Sequence, residues 1–151
     1  MRVEYIKQLL DACYLAKRAR DLLPALPEGV LPSYIQYLDA IGKLEAQGLP
    51  VKVSDLSREM NLPRPGVTRT VKEMEAKGYL TKQVSAEDGR VTYLSRSEAG
   101  KALSQKYDGD YFQALAPYMG DISDEEAESA IRTIEKFYRI MRERRDSLEQ
   151  R

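Results

Sequence analysis

Near the middle of this 151-residue sequence Arg64, Thr68 and Lys72 recur four residues apart, with Arg69 beside them. On a helix that spacing gathers three cations and a hydroxyl on one side, where Arg64, Thr68 and Arg69 suit base edges and Lys72 suits a phosphate. Farther on, Asp88-Gly89-Arg90 places a carboxylate and a guanidinium on either side of a turn glycine. Arg90 then projects from the tip, and Asp88 can hydrogen-bond that side chain or the turn backbone. Tyr34 and Tyr37, then Tyr107 and Tyr111, fall at helical spacing. Such tyrosines line either a cleft for a small aromatic or amphipathic effector, or a core or interface. Cys13 is the single cysteine and cannot form an internal disulfide; with Lys17 one turn away it reads either as a reactive thiolate or as a small buried hydrophobe. There is no His, which removes His-assisted triads, imidazole bases and most transition-metal sites. The expectation is a protein that is not an enzyme and takes no metal or cofactor.

The chain is 42% hydrophobic and 32% charged, which suffices for one domain, or two small ones, with a packed core. No stretch approaches the ~18 apolar residues of a membrane helix, and Met1-Arg2-Val3-Glu4 begins no hydrophobic signal region. A soluble, cytoplasmic protein with no membrane partner is expected. An amphipathic first helix is predicted over residues 3–23, carrying Ile6, Leu9, Leu10, Cys13 and Ala16 and closed by Pro24. Pro32 opens a second helix with Ile35, Leu38, Ile41 and Leu44 on its face, and Gly48 stops it. Ser54 is read as the N-cap of a short helix over residues 55–60, broken by Asn61-Leu62-Pro63. The next helix runs to Lys77 and buries Val67, Val71 and Met74.

The period then changes. Residues 79–85 and 90–95 are rich in β-branched and aromatic types around Glu87-Asp88-Gly89, which predicts a hairpin. Ser97 caps a long helix weakened at Gly109 and Pro117. Ser123 and Glu126 form a capping box for the last helix, whose seam is Ala127, Ile131, Ile134, Tyr138, Met141 and Leu148.

Helix, short turn, helix and hairpin over residues 51–96 make a winged helix-turn-helix, with helical segments 1–50 and 97–151 on either side as dimerisation and support. A helix about 10–12 Å across fits the major groove of DNA, the preceding helix braces it, and the hairpin reaches phosphates or the adjacent minor groove. The fold class is mainly α with a small β-hairpin wing. Although Lys+Arg and Asp+Glu are both 24 over the whole chain, residues 52–101 hold ten basic against seven acidic side chains. Neutrality is therefore segregated and compatible with double-stranded DNA as partner.

The run from Ser54 to Leu80, then Glu87-Asp-Gly-Arg-Val91 and Leu94-Ser-Arg-Ser-Glu-Ala-Gly100, resembles the MarR family of transcription regulators. The resemblance implies a homodimer interlocked through its terminal helices, a recognition helix in the major groove, and a wing Arg, here Arg90 of Asp88-Gly89-Arg90, in the minor groove. It also implies an effector pocket between the dimerisation helices and the DNA-binding part. Cys13 is similar in position to the peroxide-sensing cysteine of one branch of that family. Where the family often has small hydroxyl residues, this chain has Pro63, Pro65 and Gly66. The expected function is a homodimeric repressor of a pseudo-palindromic operator relieved by a small molecule. The alternative is a winged-helix protein-interaction module without an operator.

Overall fold

Proline and glycine punctuate the chain close to where the sequence predicts, although the first helix ends at Arg20, short of residue 23 and Pro24, and the core follows from what lies between them. A computed structural model describes residues 1–149, apart from the side chains of Asp146, Leu148 and Glu149, so the seam position Leu148 lies outside the described residues. The elements in chain order are α1 (Val3–Arg20), α2 (Pro32–Ala46), β1 (Val51–Lys52), α3 (Val53–Glu59), α4 (Arg64–Ala76), β2 (Leu80–Val84), β3 (Thr92–Arg96) and α5 (Glu98–Ser104). A π-helical turn (Gln105–Asp110), α6 (Tyr111–Leu115), a 3-10 turn (Ala116–Met119) and α7 (Asp124–Glu149) complete them. Among the described residues no helix is long and apolar enough to cross a membrane.

Packing divides the chain into two units, Ala25–Leu115 and the pair of segments Met1–Pro24 and Ala116–Arg151. The three-part division read from the sequence, with boundaries at 50/51 and 96/97, differs from this one because α2 and α5 share the core of the winged helix. In the 25–115 unit Tyr34, Tyr37, Leu38 and Ile41 of α2 pack with Leu56, Val67, Val71, Met74, Leu80, Leu94 and Leu103. Burying each large aliphatic side chain among these contributes roughly 1.5–3 kcal/mol. The buried face of α2 is rotated from the predicted one: Ile35 and Leu44 only flank the core, and the two tyrosines enter it.

The sheet has three antiparallel strands in the order β1-β3-β2, with Leu80 opposite Arg96, Lys82 opposite Leu94, and Val51 also opposite Leu94. Its edge strand β1 was not predicted, since two residues carry no period. α3 begins one residue before the expected Ser54 cap: Lys52 is the N-cap, and its backbone N–H donates to Asp55 Oδ2 at 2.9 Å. Gly78 ends α4 in the left-handed region at φ 80°. Ser97 does cap α5, accepting from the Gly100 N–H at 3.0 Å while its hydroxyl donates to the Gly78 carbonyl at 2.6 Å. A Cβ at Gly100 would lie 2.1 Å from the Tyr79 carbonyl oxygen, so the start of α5 presses on the entry to β2 as only glycine allows. The predicted long helix from Ser97 is broken into α5, the π-helical turn, α6 and the 3-10 turn.

In the other unit, α1 buries no residue completely; Ile6, Leu9 and Cys13 are half-buried. The α7 capping box forms as predicted: the Ser123 N–H donates to Glu126 Oε2 at 2.9 Å, and the Glu126 N–H donates to Ser123 Oγ at 3.2 Å. Of the seam, Ala127 is half-buried, whereas Ile131, Ile134, Tyr138 and Met141 are exposed.

Candidate nucleic-acid interface

The outward face of α4 is set by its inward one. With Val67, Val71 and Met74 fixed in the core, Arg64, Arg69 and Lys72 project to solvent and Thr68 lies half-buried beside them. Among the described residues none of these three cations forms an ion pair within 4 Å. Their charge is therefore not neutralised locally. No side chain caps α4, whose N-cap is Pro63, and Gly66 in its first turn faces open space. Glu73, the acid nearest them in sequence, accepts a hydrogen bond from the Tyr34 hydroxyl at 3.4 Å. Burial first, and the Glu73 carboxylate second, push the Tyr34 hydroxyl above its ordinary pKa, so it stays a donor.

The wing holds its tip by short-range bonds. Ser85 Oγ accepts from the Glu87 and Asp88 N–H groups at 3.2 and 3.3 Å, the Ser85 N–H donates to the Val91 carbonyl at 2.8 Å, and the Val91 N–H donates to the Asp88 carbonyl at 2.9 Å. Asp88 Oδ1 accepts from the Arg90 backbone N–H at 3.0 Å and lies 3.7 Å from its Nε. The carboxylate thus hydrogen-bonds the turn backbone, one of the two partners its placement offered, and lies near the guanidinium only as a loose ion pair. The Arg90 side chain is 96% exposed, an extended cation at the end of a braced ribbon. At the base of the hairpin, Lys82 pairs with Glu75 of α4, and Thr81 Oγ1 and Ser95 Oγ are 2.9 Å apart.

The sequence alone gave no sign of a second tie. Arg96, the last residue of β3, donates from Nε to Glu45 Oε2 at 2.8 Å and from its backbone N–H to Glu45 Oε1 at 3.0 Å. The two residues are 51 apart in the chain, and no local pattern connects them.

The four tyrosines do not share one setting. Tyr34 and Tyr37 are closed in the core, with the Tyr34 ring 6.4 Å from that of Tyr79. Neither lines an open cleft. Tyr107 of the π-helical turn packs against the core with Lys106 Nζ 5.1 Å from its ring centroid, and half-buried Tyr111 meets Phe112 edge-on at 5.4 Å. In the same turn Asp108 is held above the usual carboxylate range, by burial first and by Asp39 second, while Lys43 opposes the shift. Cys13 lines a groove of about 400 Å³ with Leu9 and Ala12 of α1 and Ala130, Thr133 and Ile134 of α7.

The family model described as the MarR family matches residues 28–91. A curated relative, the uncharacterized HTH-type transcriptional regulator YdgJ of Bacillus subtilis, is 25% identical over 76 residues, which are 50% of this chain and 46% of that protein. This chain thus aligns with about half the length of that relative. Among similar solved structures, the adhesin competence repressor AdcR of Streptococcus pyogenes gives a TM-score of 0.62 at 17% identity over 93% of this chain and 98% of its own. FabT of Streptococcus pneumoniae, solved in complex with DNA, gives 0.62 at 19% identity over 93% and 94%.

Proposed function

Since residues 28–91 match the model of the MarR family, whose members are DNA-binding regulators and not enzymes, we propose that this chain is a cytoplasmic, homodimeric transcriptional repressor of a pseudo-palindromic operator. The observation that carries the reading is the unneutralised set Arg64, Arg69 and Lys72, turned outward by a fully buried opposite face and accompanied by the extended Arg90. Arg64, Thr68 and Arg69 read base edges in the major groove, and Lys72 takes a phosphate. Arg90 enters a minor groove whose narrow A·T-rich form focuses negative potential, with Asp88 limiting the freedom it loses on insertion. FabT's complex with DNA and AdcR's name as a repressor support the direction of this reading.

Dimerisation through α1 and α7 is supported by the stripe Ile131, Ile134, Tyr138 and Met141, more apolar surface than a small monomer normally leaves in water. Relief by a small aromatic or amphipathic effector is assigned to Tyr107 and Tyr111, which flank the end of the π-helical turn and are only half-buried. Tyr34 and Tyr37 act on that site only through the core. Cys13 is a groove-lining apolar residue in this reading, and peroxide response is not part of it.

The test is binding to a duplex selected from a random-sequence pool, measured across salt. Binding should weaken steeply as salt rises, and Arg90→Ala should weaken it by about tenfold or more with the melting temperature unchanged. Salt-independent binding, or an Arg90→Ala protein as tight as wild type, would leave the hairpin as a plain solvated turn and favour a protein-interaction module.

A further inference from the structure

We propose that Glu45 and Arg96 are positioning residues that set the wing against the reading helix, so that Arg90 reaches DNA in register with α4. The inference rests on the DNA-binding reading above. One carboxylate receives both the backbone N–H and the Nε of Arg96, at 3.0 and 2.8 Å. Two bonds to one residue fix both the position and the rotation of the strand end, and the geometry is charge-assisted. Both side chains are about three-quarters buried, with 23% and 25% exposure, so water competes weakly for them. β3 is the central strand, and Arg90 precedes it at the tip. A tie at one end of that strand therefore governs the lean of the whole ribbon.

Two further observations tie the pair to α2 as a common frame. Gly42, in mid-helix, leaves room for the guanidinium: a Cβ there would lie 2.6 Å from an Arg96 terminal nitrogen. Glycine is a poor helix former, and here its lack of a side chain seats the arginine. From the same helix Tyr34 donates to Glu73 of α4. α2 is thus bonded at its start to the reading helix and at its end to the wing.

Glu45→Gln and Gly42→Ala, each alone and each combined with Arg90→Ala, test the proposal on the selected duplex. Each single change should weaken binding about five- to tenfold when Arg90 is present and less than about twofold when Arg90 is Ala, because the latch acts through that side chain. Ala is the better helix former, so a loss of affinity in Gly42→Ala with an undiminished melting temperature does not come from fraying of α2. Equal penalties in both backgrounds, or none in either, would overturn the positioning role. Failure of the DNA reading looks different, since wild type and Arg90→Ala would then bind alike and without salt dependence. In that event amide exchange of the free protein decides. Faster exchange at Ser85 and Val91 in Glu45→Gln, with Leu56 and Val71 unchanged, supports the latch as the anchor of the wing; unchanged exchange at all four overturns it.

Discussion

The 25–115 unit and the unit formed by α1 and α7 are built from similar amphipathic helices and differ in where their apolar sides go. In the first, α2, α3, α4 and the sheet close over Leu38, Ile41, Leu56, Val67, Val71 and Met74. In the second, α1 has no buried residue, and the α7 seam keeps Ile131 56% and Tyr138 66% exposed. The same helical periodicity therefore specifies a finished core in one place and leaves an exposed apolar seam in the other. In the proposed dimer such a unit draws its stability from association, so its behaviour depends on protein concentration.

The strongest way to break the contrast is to damage each side and vary concentration. Leu56→Ala removes a fully buried side chain and should cost about 2–5 kcal/mol in chemical denaturation, with a midpoint independent of protein concentration. Ile134→Asp should raise the dissociation constant of the proposed dimer by about a hundredfold, since it replaces an apolar contact with a stranded carboxylate. Light scattering over a dilution series would follow it, and the melting temperature should fall with dilution. A dimer unaffected by that carboxylate would place the interface elsewhere.

The smallest expected effect sharpens the contrast through pH. Glu126, in the α7 capping box, has its pKa lowered by bonds to the Ser123 backbone and side chain. Its contribution is present above the ordinary carboxylate pKa and is lost as pH falls through the lowered folded value. Asp108, in the other unit, is shifted the opposite way by burial and Asp39, so its charged form opposes folding at neutral pH, a cost that disappears as pH falls through the raised value. Asp108→Asn should accordingly raise the melting temperature at neutral pH and Glu126→Gln should lower it, both differences shrinking on acidification. Thermal scans from neutral to acidic pH would show it, and differences of the same sign would contradict the assignment.

How far the sequence foretold this molecule depended on whether the cause was local. The α4 stripe, the α7 capping box, the Gly78 stop and the Asp88 turn all arise within a few residues, and each is where the pattern placed it. The α2 face was rotated because tyrosine is ambiguous between core and cleft, and only the neighbours Tyr79 and Glu73 decide Tyr34. The strand β1 and the Glu45–Arg96 tie depend on partners more than forty residues away, which no period can carry. The break after Ser104 into a π-helical turn was foreshadowed only by Gly109.

The close approach at Gly100 bears on how a mutational map of this protein would look. Every side chain there collides with the Tyr79 backbone, whereas Gly66 and Gly89, close to the candidate DNA-contacting residues, face open space. In a saturation library scored for DNA binding, position 100 would appear as intolerant as a proposed contact residue while lying in α5, outside the candidate DNA-contacting set. Positions 66 and 89 would accept small substituents despite lying beside the proposed contact residues. Screened for loss of function alone, such a library would merge scaffold and reader. Scoring the same variants for folded abundance separates them, with substitutions at 100 failing both screens and Arg90 variants failing only the first.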